Sequence, residues 1–383
     1  MKIYSNELYL EYKCLAGDCP ETCCSGWRII VDDETKERYM HKKGFGGFAL
    51  RAGLSGPDDN YFNYDAGSCI FHDLKGLCRI QKKFGTEYMP EICRRFPREV
   101  RNYGSFAIEN TDLSCIGQSL MLLKREKRPE MILRDGECEG AARGSNEDPQ
   151  FARIILDSWK EFMDMTKLSP GDMTSYKALD LILKTMLFWC IYAQEAVLSH
   201  SEMKLVREEN MPLAFYRKYA ASDPDPDRLY LPMPIMALNR IINTDIDMED
   251  ERILSRINRA IEWYHRKYDL KTEIEGQRLW LKNVEEFFKE DPFRMEAILR
   301  YLLYYFQQCY PENYENYSFV HFAVTGIMHV NTVLFLWNNY ARKKQLTVEV
   351  MADLITAYER GVCHNNAIQR EMYDIVCDYL PIG

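Results

Sequence analysis

The sequence lacks the short motifs by which several large enzyme classes are recognised. It contains no Walker A sequence, no G-x-G-x-x-G that opens a helix after a strand, no H-E-x-x-H and no G-x-S-x-G. These absences argue against a P-loop nucleotide hydrolase, a conventional dinucleotide-binding enzyme, a zincin protease and an α/β-hydrolase. The chemistry of this chain must therefore depend on other residues.

An excess of basic charge is also absent. The 383 residues include 49 Lys and Arg against 58 Asp and Glu, which gives a net charge of −9. General nucleic-acid binding usually leaves a basic footprint, so no nucleic-acid partner is predicted. The excess of acidic residues lies after residue 128. Residues 1–128 carry 20 basic and 18 acidic side chains, whereas the remainder carries 29 basic and 40 acidic ones.

A signal peptide is missing from the first residues, MKIYSNELYLEYK, which hold no apolar core region and no small-residue cleavage site. We therefore expect a cytoplasmic protein in a reducing compartment. Segment 318–337 is apolar and long enough to span a bilayer, but His321, His329 and Asn331 interrupt it. Because such groups are costly in lipid, the segment predicts a buried core helix and no membrane partner.

Cysteine, in contrast, is abundant at the beginning of the chain. The stretch C-LAGD-C-PET-CC-SGW holds four thiols between Cys14 and Cys24, and eight of the 13 cysteines lie in the first 115 residues. Thiols at short spacing, with Gly and Pro between them, suit soft-metal ligation. Because six to eight thiols exceed the four of one zinc ion, an iron–sulfur cluster or two metals would fill the site best. Structural thiols and disulfides are the alternatives, and a reducing cytoplasm disfavours disulfides.

The spacing of these thiols differs from three common cysteine sites. The paired C-x2-C units of a zinc ribbon and the C-x2-C-x2-C run of bacterial ferredoxins are both missing. The C-x3-C-x2-C of radical enzymes that use S-adenosylmethionine is missing too, because the thiol after Cys23 is the adjacent Cys24. The chain instead offers C-x3-CC, then C-x8-C and C-x14-C.

The predicted fold class is mainly α, with a small, irregular, cysteine-rich N-terminal region that binds a metal or cluster, followed by a mostly helical domain. We place a cysteine-cluster domain at 1–127, a linker at 128–149 and a helical domain at 150–383. Alternating apolar residues predict strand structure within 99–117. The glycine-rich segment 44–68 is predicted to be a long loop.

Helical periodicity dominates the last part of the chain. The predicted helices are 150–166, 172–198, 200–220, 248–268, 275–290, 292–310, 317–343, 347–360 and 364–379. Four cysteines scattered on apolar faces are predicted to be core residues, namely Cys190, Cys309, Cys363 and Cys377. Cys138 stands alone in the linker and is not predicted to be a ligand.

Arginines surround one of the N-terminal thiols. Cys93 is predicted to lie on a short helix, with Arg94, Arg95 and Arg98 nearby. These cations either lower the pKa of the thiol and contact an anionic ligand, or form a solvated basic face. The sequence leaves both interpretations open.

Taken together, the cysteine pattern resembles a known family. The run C-x3-CC-x-G-W, followed by C-x8-C and C-x2-FPR, resembles the zinc/iron-chelating cysteine-cluster proteins. The longer pattern, from YLEYKCLAGDCPETCCSGWRIIVD through CRIQKKFGTEYMPEICRRFPR and with a long helical tail, resembles the bacterial flagellin lysine N-methylase family. Residues 8–117 carry nearly all of this resemblance.

The resemblance implies a methyltransferase of the bacterial flagellum that moves a methyl group from S-adenosylmethionine to surface lysines of flagellin. It also implies an iron–sulfur cluster, of the 4Fe-4S type or with zinc in its place, bound by cysteines. The implied metal ligands are Cys19, Cys23, Cys24, Cys69, Cys78 and Cys93. Cys14 and Cys115 belong to the longer pattern and would support these ligands or hold a second metal. No catalytic residue and no donor-binding residue can be singled out.

Methyl transfer to lysine sets simple physical demands. The amine must be neutral before it attacks, and an apolar, aromatic pocket both lowers the lysine pKa and tolerates the cationic donor. The cluster would anchor the donor or staple a loop-rich region. The alternative function is a non-enzymatic metal or iron–sulfur-binding scaffold or carrier, because no conventional donor-binding fold is visible.

Overall fold

The computed structural model is mainly helical, with one small sheet, and it describes most of the chain. The described residues are 1–25, 27–56, 60–65, 67–73, 75–138, 148–168, 175–222, 255, 257–259, 261–262, 273–363, 369–370 and 373–374. The helices predicted for 248–268 and 364–379 lie largely outside these residues. The mainly α fold class is confirmed.

Six strands form two sheets among the described residues. They are β1 Lys2–Asn6, β2 Tyr64–Asp65, β3 Ser68–Cys69, β4 Arg98–Asn102, β5 Phe106–Thr111 and β6 Met131–Asp135. The larger sheet has the order β4-β5-β1-β6, in which β1 and β5 run parallel and the other two pairs run antiparallel. Strand β6 comes from the predicted linker, so this segment pairs with the beginning of the chain. The predicted division into domains is not tested by the structure.

Among the described residues, six short α-helices belong to the first 127 residues and eight to the remainder. The first set is α1 Glu7–Glu11, α2 Asp33–His41, α3 Gly44–Ala52, α4 Arg79–Phe84, α5 Glu91–Arg95 and α6 Ile116–Lys124. The second set is α7 Pro149–Met165, α8 Tyr176–Leu198, α9 Pro212–Ala221, α10 Glu273–Glu290, α11 Phe293–Cys309, α12 Asn313–Asn316, α13 Phe319–Ala341 and α14 Val348–Tyr358. A π-helical turn, Glu359–Cys363, continues α14.

The helix predicted for 200–220 is wrong in its first half. Two 3₁₀ turns, Glu202–Val206 and Glu208–Asn210, precede α9. Proline cannot donate to the preceding turn and forces the residue before it into an extended conformation. Met211 is extended accordingly, and Pro212 occupies the first turn of α9.

The predicted loop at 44–68 is also wrong in part, since it contains α3. The backbone of this helix passes so close to the preceding segment that a Cβ on Gly47 would lie 1.8 Å from the Lys42 carbonyl oxygen. Glycine content, which suggested a loop, here permits a close approach instead. The apolar face of α3 buries Leu50.

The described residues form a small hydrophobic core and a large one. A small core unites Ile29, Val31, Tyr39, Leu50, Leu54, Phe62, Cys69 and Ile80. The large core includes Leu8, Phe106 and Leu122 together with the residues of the helical body, among them Trp159 and Trp337. The first and last segments of the cysteine-rich region therefore pack with the helices, and the middle segment has its own core.

Helix α13 contains the apolar segment that was predicted to be a core helix. By length and composition, α8 and α13 are the two helices in the described part of the chain that could cross a membrane, and 89% of the most apolar window of α13 is buried within the protein. Two of the polar groups that interrupt it have internal partners: His329 Nδ1 lies 2.8 Å from the Tyr358 hydroxyl, and Asn331 Nδ2 donates to the Ile327 carbonyl. This burial confirms a core helix.

Candidate functional site

Backbone pairing brings the three cysteine segments together around the small core. The amide of Cys69 donates to the carbonyl of Cys24 at 2.7 Å, and Ser25 pairs with Ser68 in a β-bridge. His72 pairs with Cys78 in a second β-bridge, and the Gly76 amide between them donates to the Asp73 carbonyl at 3.0 Å. Loops that are distant along the chain thus form one compact unit.

A single carboxylate orients the helix that carries Cys93. Asp32 Oδ1 accepts from the Thr35 amide at 2.9 Å and caps α2, and its Oδ2 accepts from the Glu91 amide at 2.7 Å at the start of α5. Burial opposes ionisation of Asp32, but these amide hydrogen bonds prevail and its pKa is lowered. The ionised carboxylate therefore ties the two helix N-termini together.

Five of the six predicted ligands form a first thiol group: Cys23, Cys69 and Cys78 each affect the ionisation of Cys93, and Cys24 interacts with Cys23. Burial raises the pKa of the Cys93 thiol, and neighbouring Cys23, Cys78 and Cys69 raise it further. Burial likewise raises the pKa of Cys69 to about 11. A hydrogen bond with Cys24 raises the pKa of Cys23.

The sixth predicted ligand, Cys19, belongs to a second group with Cys14 and Cys115. Burial raises the pKa of Cys19, and both of these thiols add to the effect. Tyr12 lies in the same group, since its hydroxyl is 3.4 Å from Cys115 Sγ. Cys23 interacts with both Cys19 and Cys115, so it stands between the two groups.

The donor chemistry of the first group fits a soft metal, although a complete ligand set is not formed. Among the residues that the structure describes, no three Cys, His, Asp or Glu side chains are arranged to hold a metal ion. In a 4Fe-4S cluster held by four cysteines each thiolate binds its own iron, so the thiolate sulfurs lie farther apart than the ligands of a single ion. Bound metal would also reverse the raised thiol pKa values, because a coordinating thiol loses its proton. The ligand set stays a prediction.

Two of the arginines that the sequence placed near Cys93, namely Arg95 and Arg98, have other partners. Arg95 forms an exposed ion pair with Glu91, and both side chains are about half exposed. Arg98 donates from Nη2 to the Tyr12 carbonyl at 2.8 Å and lies over the Tyr12 ring. For these two residues the solvated or structural interpretation is favoured over a thiol-activating one.

A different cation, Arg360 of the π-helical turn, lies beside the thiols. Its side chain is only 3% exposed, and its Nη1 is 3.5 Å from Glu21 Oε2. Its guanidinium carbon is 5.8 Å from the centre of the Trp27 ring, and its charge lowers the pKa of Cys23 against the larger effects that raise it. Arg360 therefore connects the end of the described chain to the cysteine loop.

A cavity of about 550 Å³ lies next to the cysteine region, between α5 and β4 on one side and α11, α13 and the π-helical turn on the other. Ile92, the residue before Cys93, is part of its wall. Its volume is within the range of about 300–1,000 Å³ that is typical of small-molecule sites. Aromatic rings contribute much of the remaining wall, namely Phe96, Tyr304, Tyr305 and Phe322.

Acidic side chains outnumber basic ones in this wall. The carboxylates are Glu99, Asp112, Glu312 and Glu359, and the guanidiniums are Arg98 and Arg101. Arg101 donates to Glu99 at 2.8 Å and also pairs with Glu312, so one cation serves two acids. The cavity therefore has an excess of negative charge.

A buried polar network occupies the inner end of the cavity. The Tyr301 hydroxyl donates to Glu359 Oε1 at 2.7 Å, and Cys363 Sγ lies 3.6 Å from His329 Nδ1. Burial lowers the pKa of His329 to about 3, so its imidazole is neutral at physiological pH. Burial raises the pKa of the Cys363 thiol, which is consequently protonated.

Sequence reasoning missed most of this cavity. Cys309 and Cys363 were predicted to be core cysteines, yet both contribute to the cavity wall, whereas Cys190 is fully buried as expected. Cys377 lies outside the described residues. The one sequence signal for the site was a charged pair, Glu359 and Arg360, at the end of an otherwise apolar helical pattern.

Comparison with known proteins finds distant relatives and no solved structure that matches. No family model matches the chain either. The flagellar biosynthetic protein FliU of Salmonella muenchen is 26% identical over 112 residues, which cover 27% of this chain and 66% of that protein. Proteins named lysine-N-methylase from Salmonella choleraesuis and Salmonella typhimurium are also 26% identical over 112 residues, or 28% of their own length. The chain is therefore a distant relative, over about a quarter of its length, of a flagellar biosynthetic protein and of two lysine-N-methylases.

Proposed function

We propose that this protein is a cytoplasmic, S-adenosylmethionine-dependent protein-lysine N-methyltransferase that acts on flagellin. The names of its distant relatives support lysine methylation and a flagellar role. The observation that carries the proposal is the acidic, aromatic-lined cavity beside the cysteine region. Methyl transfer would take place there.

The charge and the rings of the cavity suit this reaction because both reactants are cations. A lysine enters as an ammonium ion, and the methyl donor is a sulfonium. Four carboxylates against two guanidiniums favour cations in the cavity, and both histidines in its wall have lowered pKa values through burial. Ring faces such as that of Tyr305 attract cations without accepting their protons.

Burial in the cavity also favours the reactive form of the amine. An exposed lysine has a pKa of about 10.4, so almost all of its amines are protonated at neutral pH. Removal from water destabilises the charged form and lowers that pKa. A site with much aromatic surface, such as Phe322 beside Tyr305 with ring centres 5.1 Å apart, provides this desolvation.

The cysteine region would hold an iron–sulfur cluster in this proposal. The residues that would bind it are those of the first thiol group, Cys23, Cys24, Cys69, Cys78 and Cys93. When bound, such a cluster supplies an iron that can hold the amino and carboxylate groups of the donor. Helix α5 carries both Cys93 and the cavity-lining Ile92, so the proposed cluster site and the cavity share this helix.

The experiment measures both the metal and sulfide content of the protein and its methyltransferase activity. The protein is purified anaerobically, its iron, sulfide and zinc are measured, and it is incubated with S-adenosylmethionine and unmodified flagellin. We expect mass additions of one CH2 unit per methyl group on flagellin lysines. Flagellin whose lysines are already fully methylated is the matched control. Folded, cluster-loaded protein that neither binds the donor nor adds mass would contradict the proposal and favour a non-enzymatic cluster-binding scaffold or carrier.

A further inference from the structure

We propose that helix α3 carries a membrane-contact patch, by which the protein attaches reversibly to the surface of an anionic lipid bilayer. The patch consists of the Phe45 and Phe48 rings and the exposed cations Lys43 and Lys83. The two ring-bearing side chains are 85% and 63% exposed, and their ring centres lie 6.5 Å apart. Single exposed apolar residues are normal on a protein surface, whereas adjoining exposed rings are typical of interaction sites.

The opposite face of α3 is committed to the small core. Leu50 is fully buried, and Arg51 Nη1 donates to the carbonyls of Tyr39 at 2.8 Å and Lys42 at 3.0 Å. The backbone at Gly47 approaches the Lys42 carbonyl so closely that no Cβ would fit there. These contacts fix the helix from behind, so the two rings are held outward and lose little conformational freedom when they meet a partner.

The region around the two rings is strongly basic. Segment 38–57 holds four Lys or Arg and no Asp or Glu, and segment 75–86 also holds four and no acid. Phe84 joins the two segments, because a Cβ on Gly46 would lie 2.8 Å from its ring and the Lys42 ammonium lies 5.2 Å from its ring centre. In a chain with a net charge of −9, this local excess of cations predicts an anionic partner.

Some of these eight cations are already engaged. Arg38 and Lys82 form ion pairs with acids that border the two segments. Lys43 and Lys83, in contrast, are exposed, and each adjoins an element that contacts or carries the rings. Their ammonium groups are therefore placed to meet anionic groups at the same surface that the two rings enter.

The shape of the patch favours a lipid surface over a peptide. Peptides and partner helices usually bind in grooves, whose walls cover the side chains that line them. Phe45 is 85% exposed, so its ring protrudes and is not enclosed by such walls. A bilayer interface accepts protruding aromatic side chains among its headgroups, while neighbouring lysines are attracted to anionic lipids. Attachment of this kind requires no membrane-spanning helix.

The first experiment measures co-sedimentation of the whole chain with lipid vesicles. Vesicles of phosphatidylcholine mixed with phosphatidylglycerol are compared with vesicles of phosphatidylcholine alone. We expect binding to the anionic vesicles that is at least about tenfold tighter than binding to the neutral ones. Added salt should weaken it, because salt screens exposed charges. Absence of binding to the anionic vesicles, or equal binding to both kinds, would overturn the proposal.

Two double variants separate the contributions of the rings and of the charges. Phe45→Ser with Phe48→Ser should bind anionic vesicles at least about tenfold more weakly, since less apolar surface is buried. Lys43→Glu with Lys83→Glu should be weakened to a similar degree. The control is Leu198→Ser, which changes a 72% exposed side chain at the end of α8 and should bind as the wild type does. Wild-type binding by either double variant would overturn the proposal.

These substitutions change exposed side chains, so thermal unfolding should match the wild type and show that each variant is folded. Phe48→Trp adds a direct measure of insertion. Phosphatidylglycerol with brominated acyl chains quenches only indoles that enter the bilayer. Four of the six native tryptophans are fully buried, namely Trp159, Trp189, Trp280 and Trp337. Quenching should therefore be much stronger in Phe48→Trp than in the wild type, and equal quenching would place the contact elsewhere.

A protein partner is the alternative occupant of the patch. Titration calorimetry with flagellin, in the absence of lipid, tests it. If flagellin bound the wild type but not the Phe45→Ser, Phe48→Ser protein, and vesicles bound neither, the patch would be a protein-docking surface and the lipid assignment would be wrong. None of these measurements requires methyl transfer. Vesicle binding would therefore stand even if the proposed methyltransferase function failed.

Discussion

Arg360 and Glu21 form an ion pair, with 3.5 Å between Nη1 and Oε2, although they lie near opposite ends of the described chain. Arg360 also donates from Nε to the Ser114 carbonyl at 2.7 Å. The preceding residue, Glu359, belongs to the cavity wall. Two adjacent residues of this turn therefore contact different regions: Arg360 contacts the cysteine loop, and Glu359 lines the cavity.

We expect Arg360→Met to destabilise the protein and loosen the cysteine loop. Removing one partner of a buried ion pair typically costs about 3–5 kcal/mol. Glu21→Gln should cost less, because the Glu21 side chain is partly exposed. Thermal unfolding measures the stability of the protein. Limited proteolysis between residues 14 and 27 measures how accessible the cysteine loop is to protease. Equal protease resistance in Arg360→Met and wild type would show that the pair does not hold the loop.

The separation of thiols into two groups predicts an order of effects. Cys78→Ser and Cys93→Ser should each reduce iron and sulfide, or zinc, to a small fraction of the wild-type content. Cys19→Ser, in the group with Cys14 and Cys115, should reduce it less. Cys138→Ser is the control and should leave it unchanged. Chemical analysis after anaerobic purification measures all four. If Cys19→Ser lost as much metal as Cys93→Ser, the two thiol groups would not differ in their contribution to metal binding.

Stability should fall in acid because of His329. Its folded-state pKa is about 3, whereas that of an unfolded histidine is about 6.5. Between these values the unfolded chain binds the extra proton, so stability is lost as pH falls below about 6.5. Between pH 7 and pH 5, His329→Gln should lose about 2 kcal/mol less than the wild type. Denaturant unfolding at both pH values measures this difference.

The control for this prediction is His41→Gln, which changes an exposed histidine on α2. It should lose as much stability in acid as the wild type. If His329→Gln also followed the wild-type curve, His329 would have to be protonated in the folded protein or reached by water. Either result would remove the basis for a neutral imidazole in the cavity.

Arg300 should be a major contributor to the packing of α6 against α11. Its Nη1 donates to the carbonyls of Leu122, Leu123 and Arg125 at the C-terminal end of α6, where carbonyls lack helical partners. The side chain is 4% exposed and also pairs with Glu296 at 2.8 Å. Arg300→Met should lower the free energy of unfolding by about 3 kcal/mol or more.

The matched substitution for Arg300 is Arg153→Met, since the Arg153 side chain is 80% exposed and pairs only across one turn of α7. Exposed pairs contribute about 0–1 kcal/mol. Denaturant unfolding of both variants gives the comparison. Similar losses of unfolding free energy in the two variants would show that Arg300 is not needed as a hydrogen-bond donor to the carbonyls at the end of α6.

Much of the helical body could be predicted because helix formation is encoded locally. Apolar residues at helical spacing located α7, α10, α11, α13 and α14 within a few residues of their ends. The secondary-structure prediction failed where the same local sequence feature is compatible with two structures. The glycines of α3 looked like loop residues but serve a close backbone approach, and only the folded neighbour at Lys42 reveals this.

By itself, the sequence determined the mainly helical class, the buried nature of α13 and the concentration of thiols before residue 115. These properties depend on composition and periodicity, which operate over a few neighbouring residues. Only the tertiary structure decided that Cys93 interacts with Cys23, Cys69 and Cys78 while Cys19 interacts with Cys14, Cys115 and Cys23. It also decided that Glu359 lines the cavity and that Arg360 contacts the cysteine loop. Such contacts join segments hundreds of residues apart, so they depend on how whole elements pack and leave no periodic trace in the chain.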